Sequence, residues 1–136
     1  MDDYKVDKET AESEIERFAL AMDLDLDTSE MDEEDRKALD QQKRVLLLSI
    51  QKGNLVINEN GEPVFTPTKG ENREPLTFFE PDGASFMTMD KMKKNHDVAK
   101  MYGIMADMTK THSKVFAKLK HRDNKICQAI VTLFLG

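Results

Sequence analysis

Between residues 76 and 90 the chain reads Leu-Thr-Phe-Phe-Glu-Pro-Asp-Gly-Ala-Ser-Phe-Met-Thr-Met-Asp, an order that places two elements at once. In Leu76, Thr77 and Phe78 successive side chains fall on opposite faces of an extended segment. Pro81 lacks a backbone donor, so the strand cannot continue and the chain turns at Pro-Asp-Gly. Asp82 or Ser85 can then cap a helix whose apolar residues Phe86, Met89 and Met92 return at three-residue steps.

A strand needs partners, and the preceding residues offer them. Leu55, Val56 and Ile57 form a short, mostly β-branched run. Asn60-Gly61 is the strongest two-residue hairpin signal, and residues 64–66 return. Pro63 and Pro67 flank that second strand and predict an edge position, where a missing donor is tolerated. Residues 68–75, polar and carrying Gly70 and Pro75, read as a loop. The strand at 76–79 is the expected third member, since a hairpin alone is barely stable in water.

Helices are predicted on both sides of this sheet. Over residues 9–22, Ala11, Ile15, Phe18, Ala19 and Met22 line one face and the other is acidic. Thr28 or Ser29 is expected to cap a second helix over residues 31–52, whose first turn is rich in Asp and Glu. Leu39, Leu46 and Ile50 mark its buried stripe, Val45, Leu47 and Leu48 widen it, and Gly53 is the expected stop. After Pro81, helices are expected at about 84–93, 96–109, 113–120 and 124–135. The last of these carries Ile126, Ile130, Val131 and Phe134 on one face and Asp123 as its cap. The predicted fold class is α+β, mainly α-helical, with a small antiparallel β-hairpin or three-stranded sheet. Residues 1–136 are expected to form one domain: an acidic helical pair over 1–53, the sheet over 54–80 and a basic helical cluster over 81–136.

Charge is distributed as unevenly as the elements. Residues 1–40 hold 16 acidic and 5 basic side chains, residues 41–80 hold 5 of each, and residues 81–136 hold 5 acidic and 10 basic, for a net charge of −6. The acidic arm can lie against the basic end of its own or a neighbouring copy, so self-association is expected, or each end can meet a different partner. The net charge disfavours nucleic acid as a partner, although the basic third has the charge to touch phosphates on its own. Cys127 is the only cysteine. It lies on an apolar helix face, where it behaves as a small hydrophobe and suits a reducing compartment. The first residues have no apolar core for a signal peptide, and the longest apolar run, residues 45–48, is far too short for a membrane. A soluble, intracellular protein is expected.

Several motifs imitate chemistry without completing it. Residues 23–34 place carboxylates at positions one, three, five and twelve of a calcium-loop window. Thr28, however, stands where that loop needs glycine, Glu30 where an apolar residue pairs loops, and no second loop exists, so an acidic linker into a helix start is the better reading. His121-Arg-Asp-Asn-Lys125 looks like the start of a kinase catalytic loop, but the glycine-rich loop, strand lysine and second carboxylate are missing. His96, His112, His121 and Cys127 are not spaced to converge on zinc. No nucleophile set or phosphate loop appears, so no enzyme activity, cofactor, metal or small-molecule substrate is implied. Six of nine methionines, Met87, Met89, Met92, Met101, Met105 and Met108, fall within one 22-residue window. Methionine adapts to irregular apolar partners, so these side chains fill either a core or a helix-binding surface.

The Leu76–Pro81 strand, the small-residue turn and the helix with Met89-Asp90 near its middle resemble the small tail assembly chaperones of long-tailed bacteriophages. Residues 111–119, from Thr-His-Ser-Lys-Val to a closing Leu, lead through Asp123 into the apolar helix at 126–135 and are similar to that family's closing pattern. The resemblance covers the C-terminal half. It implies a non-enzymatic phage protein of the host cytoplasm that coats the tape measure protein, keeps it soluble, hands it to the tail tube protein and then leaves. A frameshifted second domain, frequent in the family, would join after Leu135-Gly136. The partner-binding surface is then expected on Phe86, Met89, Met92, Met101 and Met105. The competing expectation is a structural minor tail or connector component that stays in the particle.

Overall fold

Helix α1 (Lys8–Ala21) buries Ala11, Ile15, Phe18 and Ala19, the stripe its periodicity marks. Asp7 caps it, accepting from the Thr10 N–H at 2.7 Å. Hydrogen bonding from the Thr10 side chain, then from its backbone, holds the Asp7 carboxyl below its ordinary range. In this computed structural model residues 5–24, 26, 29–68, 73–83 and 98–135 are described. The helix expected at 84–93, with Phe86, Met89 and Met92, lies outside the described residues.

Helix α2 (Glu33–Lys52) starts two residues later than its sequence suggests, because Asp32, not Thr28 or Ser29, accepts from the Asp35 N–H at 2.8 Å. Carboxylates at Glu33, Glu34 and Asp35 then sit on the positive end of the helix dipole. Gly53 ends the helix in the left-handed region at φ 84°, its N–H and that of Asn54 returning to Ile50 and Ser49 carbonyls. The Ser49 hydroxyl is buried without a hydrogen-bond partner, a site where polarity costs stability. Ser49→Ala should therefore raise the midpoint of urea unfolding, adding up to about 1 kcal/mol, with an unchanged denaturant slope.

Strands β1 (Leu55–Ile57), β2 (Pro63–Phe65) and β3 (Leu76–Thr77) form an antiparallel sheet in the order β1-β2-β3. The hairpin is not closed by a two-residue Asn60-Gly61 turn. Ile57 pairs with Pro63 and Leu55 with Phe65, and Asn58 and Glu62 bracket a three-residue loop whose Gly61 takes φ 80°. This is a turn followed by a left-handed residue. A two-residue loop would shift the pairing by one and send Phe65 to the opposite face from Leu55 and Ile57. Burial decides the register, since Leu55, Ile57 and Phe65 are all in the core.

β2 is the central strand, which corrects the expected edge position. Bonds from Asn58 N–H to Glu62 O and from Thr66 N–H to Asn54 O put the β1 ladder on the even-numbered residues of β2. Pro63, Phe65 and Pro67 therefore turn toward β3. The two prolines bracket a two-residue β3 and shorten the strand expected over 76–79, because neither can donate to it. The Phe78 N–H still reaches Pro63 O at 2.8 Å.

From residue 98 onward the described chain is helical: α3 (Val98–Thr109), α4 (Ser113–Lys118) and α5 (His121–Leu135). α4 stops short of the expected residue 120, and α5 begins at His121. Asp123 is therefore inside the first turn of α5 and does not cap it. α5 is the core's central helix, with Cys127, Ala129, Ile130, Val131, Leu133 and Phe134 buried. It packs against α2 and α3 and sets Phe134 edge-on to Phe18 of α1 at 5.3 Å. One continuous apolar cluster joins residues from α1, α2, the sheet and α3 to α5. The molecule is thus α+β, mainly α-helical, with a small three-stranded antiparallel sheet.

Candidate partner-binding surface

Of the five residues expected to meet a partner, the described structure places two. Met105 has no exposed surface and Met108 almost none; both belong to the apolar cluster that α3 turns toward α5 and β3. Met101 is half-buried against the same cluster. In this conformation Met105 fills the core and has no surface to offer, whereas Met101 retains some. Phe86, Met89 and Met92 lie outside the described residues.

A different apolar surface opens between α1 and α2. The two helices run antiparallel, since the Lys5 and Val6 N–H groups, just before α1, both reach the Gln51 carbonyl near the end of α2. Between them lies an open groove of about 1060 Å³ with Ile15, Leu26, Leu47 and Leu48 among its lining residues. Lys8, Glu12, Glu16, Asp40, Lys43 and Arg44 supply charges of both signs around it. Its long wall runs from Asp40 to Gln51 on α2, roughly 17 Å or three helical turns. The signal was in the sequence: residues 45–48 are four consecutive apolar side chains, which spread over the whole circumference of a helix. Leu46 is buried in the core and Val45 and Leu47 are half-buried against it, while Leu48 is half-buried outside that cluster.

The groove's α1 wall is fixed by the hairpin. Arg17 donates to the Asn58 and Ile57 carbonyls at 2.7 and 2.5 Å and is also paired with Glu14. Asn58 organises the loop, its Oδ1 accepting from the Asn60 and Glu62 N–H groups at 3.0 and 2.9 Å. Gly61 packs so closely on the end of α1 that an added Cβ would overlap that of Ala21.

Reactive groups elsewhere are committed to structure. Asp123 is fully buried and accepts from the Thr68 N–H at 3.0 Å and the Thr68 hydroxyl at 2.7 Å. Cys127 is fully buried, and desolvation, reinforced by the nearby Asp123 charge, pushes its thiol pKa far up, leaving it unreactive as a nucleophile. Asp32 serves as a helix cap and Glu33 pairs with Arg36. Among the described residues no group of three or more His, Cys, Asp or Glu side chains is placed to hold a metal ion. No described helix is long and apolar enough to cross a membrane. Compared with protein-family models, curated proteins and solved structures, the chain matches none. The groove is accordingly defined by its geometry alone.

Proposed function

We propose that this chain is a helix-binding protein without catalytic activity, working in the cytoplasm of an infected host. Its particular role in this reading is that of a tail assembly chaperone, holding the tape measure protein soluble until the tail tube protein takes it over. The observation that carries the reading is the groove between α1 and α2. A groove walled by about three turns of α2, with Ile15, Leu26, Leu47 and Leu48 as its apolar lining and charges of both signs around them, suits the apolar stripe of an amphipathic helix. A long helical partner exposes many such stripes and aggregates unless they are covered. The resemblance of residues 76–90 and 111–135 to that chaperone family narrows the class to the particular role.

Co-expression with the tape measure protein of the same genome tests it. The partner should be soluble and co-purify with the wild-type chain, and Leu48→Glu should lower the recovered complex at least about tenfold, the effect of losing an anchor of about 1.4 kcal/mol. Leu48 lies outside the core cluster, so the variant should keep its circular dichroism spectrum and melting temperature. Met101→Glu in the same assay reports whether α3 contributes to the surface. Full binding by Leu48→Glu would remove the groove from the mechanism, and a tape measure protein that stays insoluble beside the wild-type chain would overturn the chaperone role.

A further inference from the structure

Six described cations follow one another from the end of α3 through α4 into the first turns of α5. Lys110, Lys114, Lys118, Lys120, Arg122 and Lys125 are all exposed, and Asp123, the single carboxylate within residues 110–125, is buried on Thr68. Lys110 lies over the Phe79 ring at 4.4 Å. Among the described residues the ion pairs are Glu14–Arg17 and Glu33–Arg36, so none of the six cations is neutralised by a described carboxylate. Lys118 sits in the last turn of α4, where the dipole favours a cation. Lys120, Arg122 and Lys125 do not serve their helix: they flank or occupy the start of α5, where the dipole is positive and favours acids.

The complementary charge sits at the far end. Glu30, Asp32, Glu33, Glu34 and Asp35 are all exposed at the start of α2. Two sets of bonds fix the distance. Thr66 is tied to Asn54, just past the end of α2, and Thr68 is tied to Asp123 in the first turn of α5. The basic end is therefore anchored beside the C-terminus of a 20-residue helix whose N-terminus is acidic. With α2 about 30 Å long, the start of α5 and the acidic start of α2 stand several screening lengths of about 8 Å apart at physiological salt. Within one copy they cannot neutralise each other.

We infer that copies of this chain associate head to tail, the basic end formed by α4 and the start of α5 docking on the acidic start of α2 in the next copy. The contact uses two different surfaces, so it leaves one of each free and propagates into open chains unless its rotation closes a ring. A second copy is favoured over nucleic acid because the chain as a whole carries a net charge of −6, which opposes binding to phosphate polymers. This inference stands independently of the groove and its partner.

Sedimentation equilibrium of the full chain is the test. Its weight-average mass should exceed the monomer at about 0.02 M salt and fall to the monomer by about 0.5 M. K114E/K118E and E30K/E34K, which spare the Asp32 cap and the Glu33–Arg36 pair, should each weaken low-salt association at least about tenfold. An equimolar mixture of the two should restore it, because each variant retains the surface that the other lacks. Circular dichroism should find both variants folded. A wild-type chain that stays monomeric at low salt would overturn the inference, as would variants that associate undiminished. A monomeric wild-type chain that binds a fluorescent single-stranded RNA, with binding lost in K114E/K118E, would instead assign the basic end to nucleic acid.

Discussion

Gly61→Ala should destabilise the protein by about 3 kcal/mol, combining left-handed backbone strain with overpacking. Gly61 holds φ 80° in the hairpin loop, and its missing Cβ is the space into which the Ala21 methyl fits. The two contributions can be separated because Ala21 supplies the only severe overlap: the next atoms, Ala21 Cα and Arg17 O, stand at 3.7 and 3.9 Å. Urea unfolding of Gly61→Ala, Ala21→Gly and the double variant should therefore reveal a coupling of about 2 kcal/mol, leaving the strain. A loss no greater than that of a surface substitution would mean the loop does not dock on α1 as described. The consequence reaches function, because Arg17 bridges the same loop to the α1 wall of the groove. A helix freed from the hairpin would leave the groove poorly formed, so the folded fraction of this variant should also bind a helical partner less well.

Asp123→Ala should cost a further sizeable amount, about 3 kcal/mol, from two charge-assisted hydrogen bonds and the donors left behind. The Thr68 N–H and hydroxyl both point at this carboxylate, which has no exposed surface and, among the described residues, no ion-pair partner. Its stabilisation comes from those donors and from its place in the first turn of α5, where the dipole favours a negative charge. Thr68→Val removes only the hydroxyl and should cost about 1 kcal/mol. A double-variant cycle should find the two changes coupled, the double loss falling short of the sum. Additive losses would mean that the bond from the Thr68 hydroxyl contributes nothing, leaving the Thr68 N–H as the donor that matters. Because this bond anchors the basic end beside the C-terminus of α2, the same variant should alter the salt-dependent association even where the fold survives.

Local rules served well wherever a decision needed only neighbouring residues. The apolar spacing of α1, the acidic first turn of α2, the left-handed stop at Gly53 and the inward face of α5 are each written within a few turns of chain. So is the burial of Cys127. The cap of α2 was missed by a few residues because Thr28, Ser29 and Asp32 are all capable acceptors. Only the direction of the incoming chain selects among them.

The candidate surface was harder to read. Methionine at helix spacing fits a core and a binding face equally well, and Met105 is assigned to the core only once α5 and β3 close over α3. The groove was foreshadowed by the excess of apolar residues at 45–48, yet which of those side chains would stay half-exposed depended on how α1 and α5 divide the surface of α2 between them.

Composition, periodicity and turn residues by themselves determined that the chain is a mixed α+β protein with opposite charges in its two halves, since each of these is a property of local sequence. The tertiary structure alone decided the hairpin register, the central place of β2 between its two prolines, the partner of Asp123 and the separation of the charged ends. Each of those depends on contacts between residues far apart in the chain, 41 apart for Arg17 and Asn58 and 55 for Thr68 and Asp123. The physical reason is that burial is shared: which face of a strand or helix must be dry is settled by the surfaces it meets, and no window of sequence contains both sides of that contact.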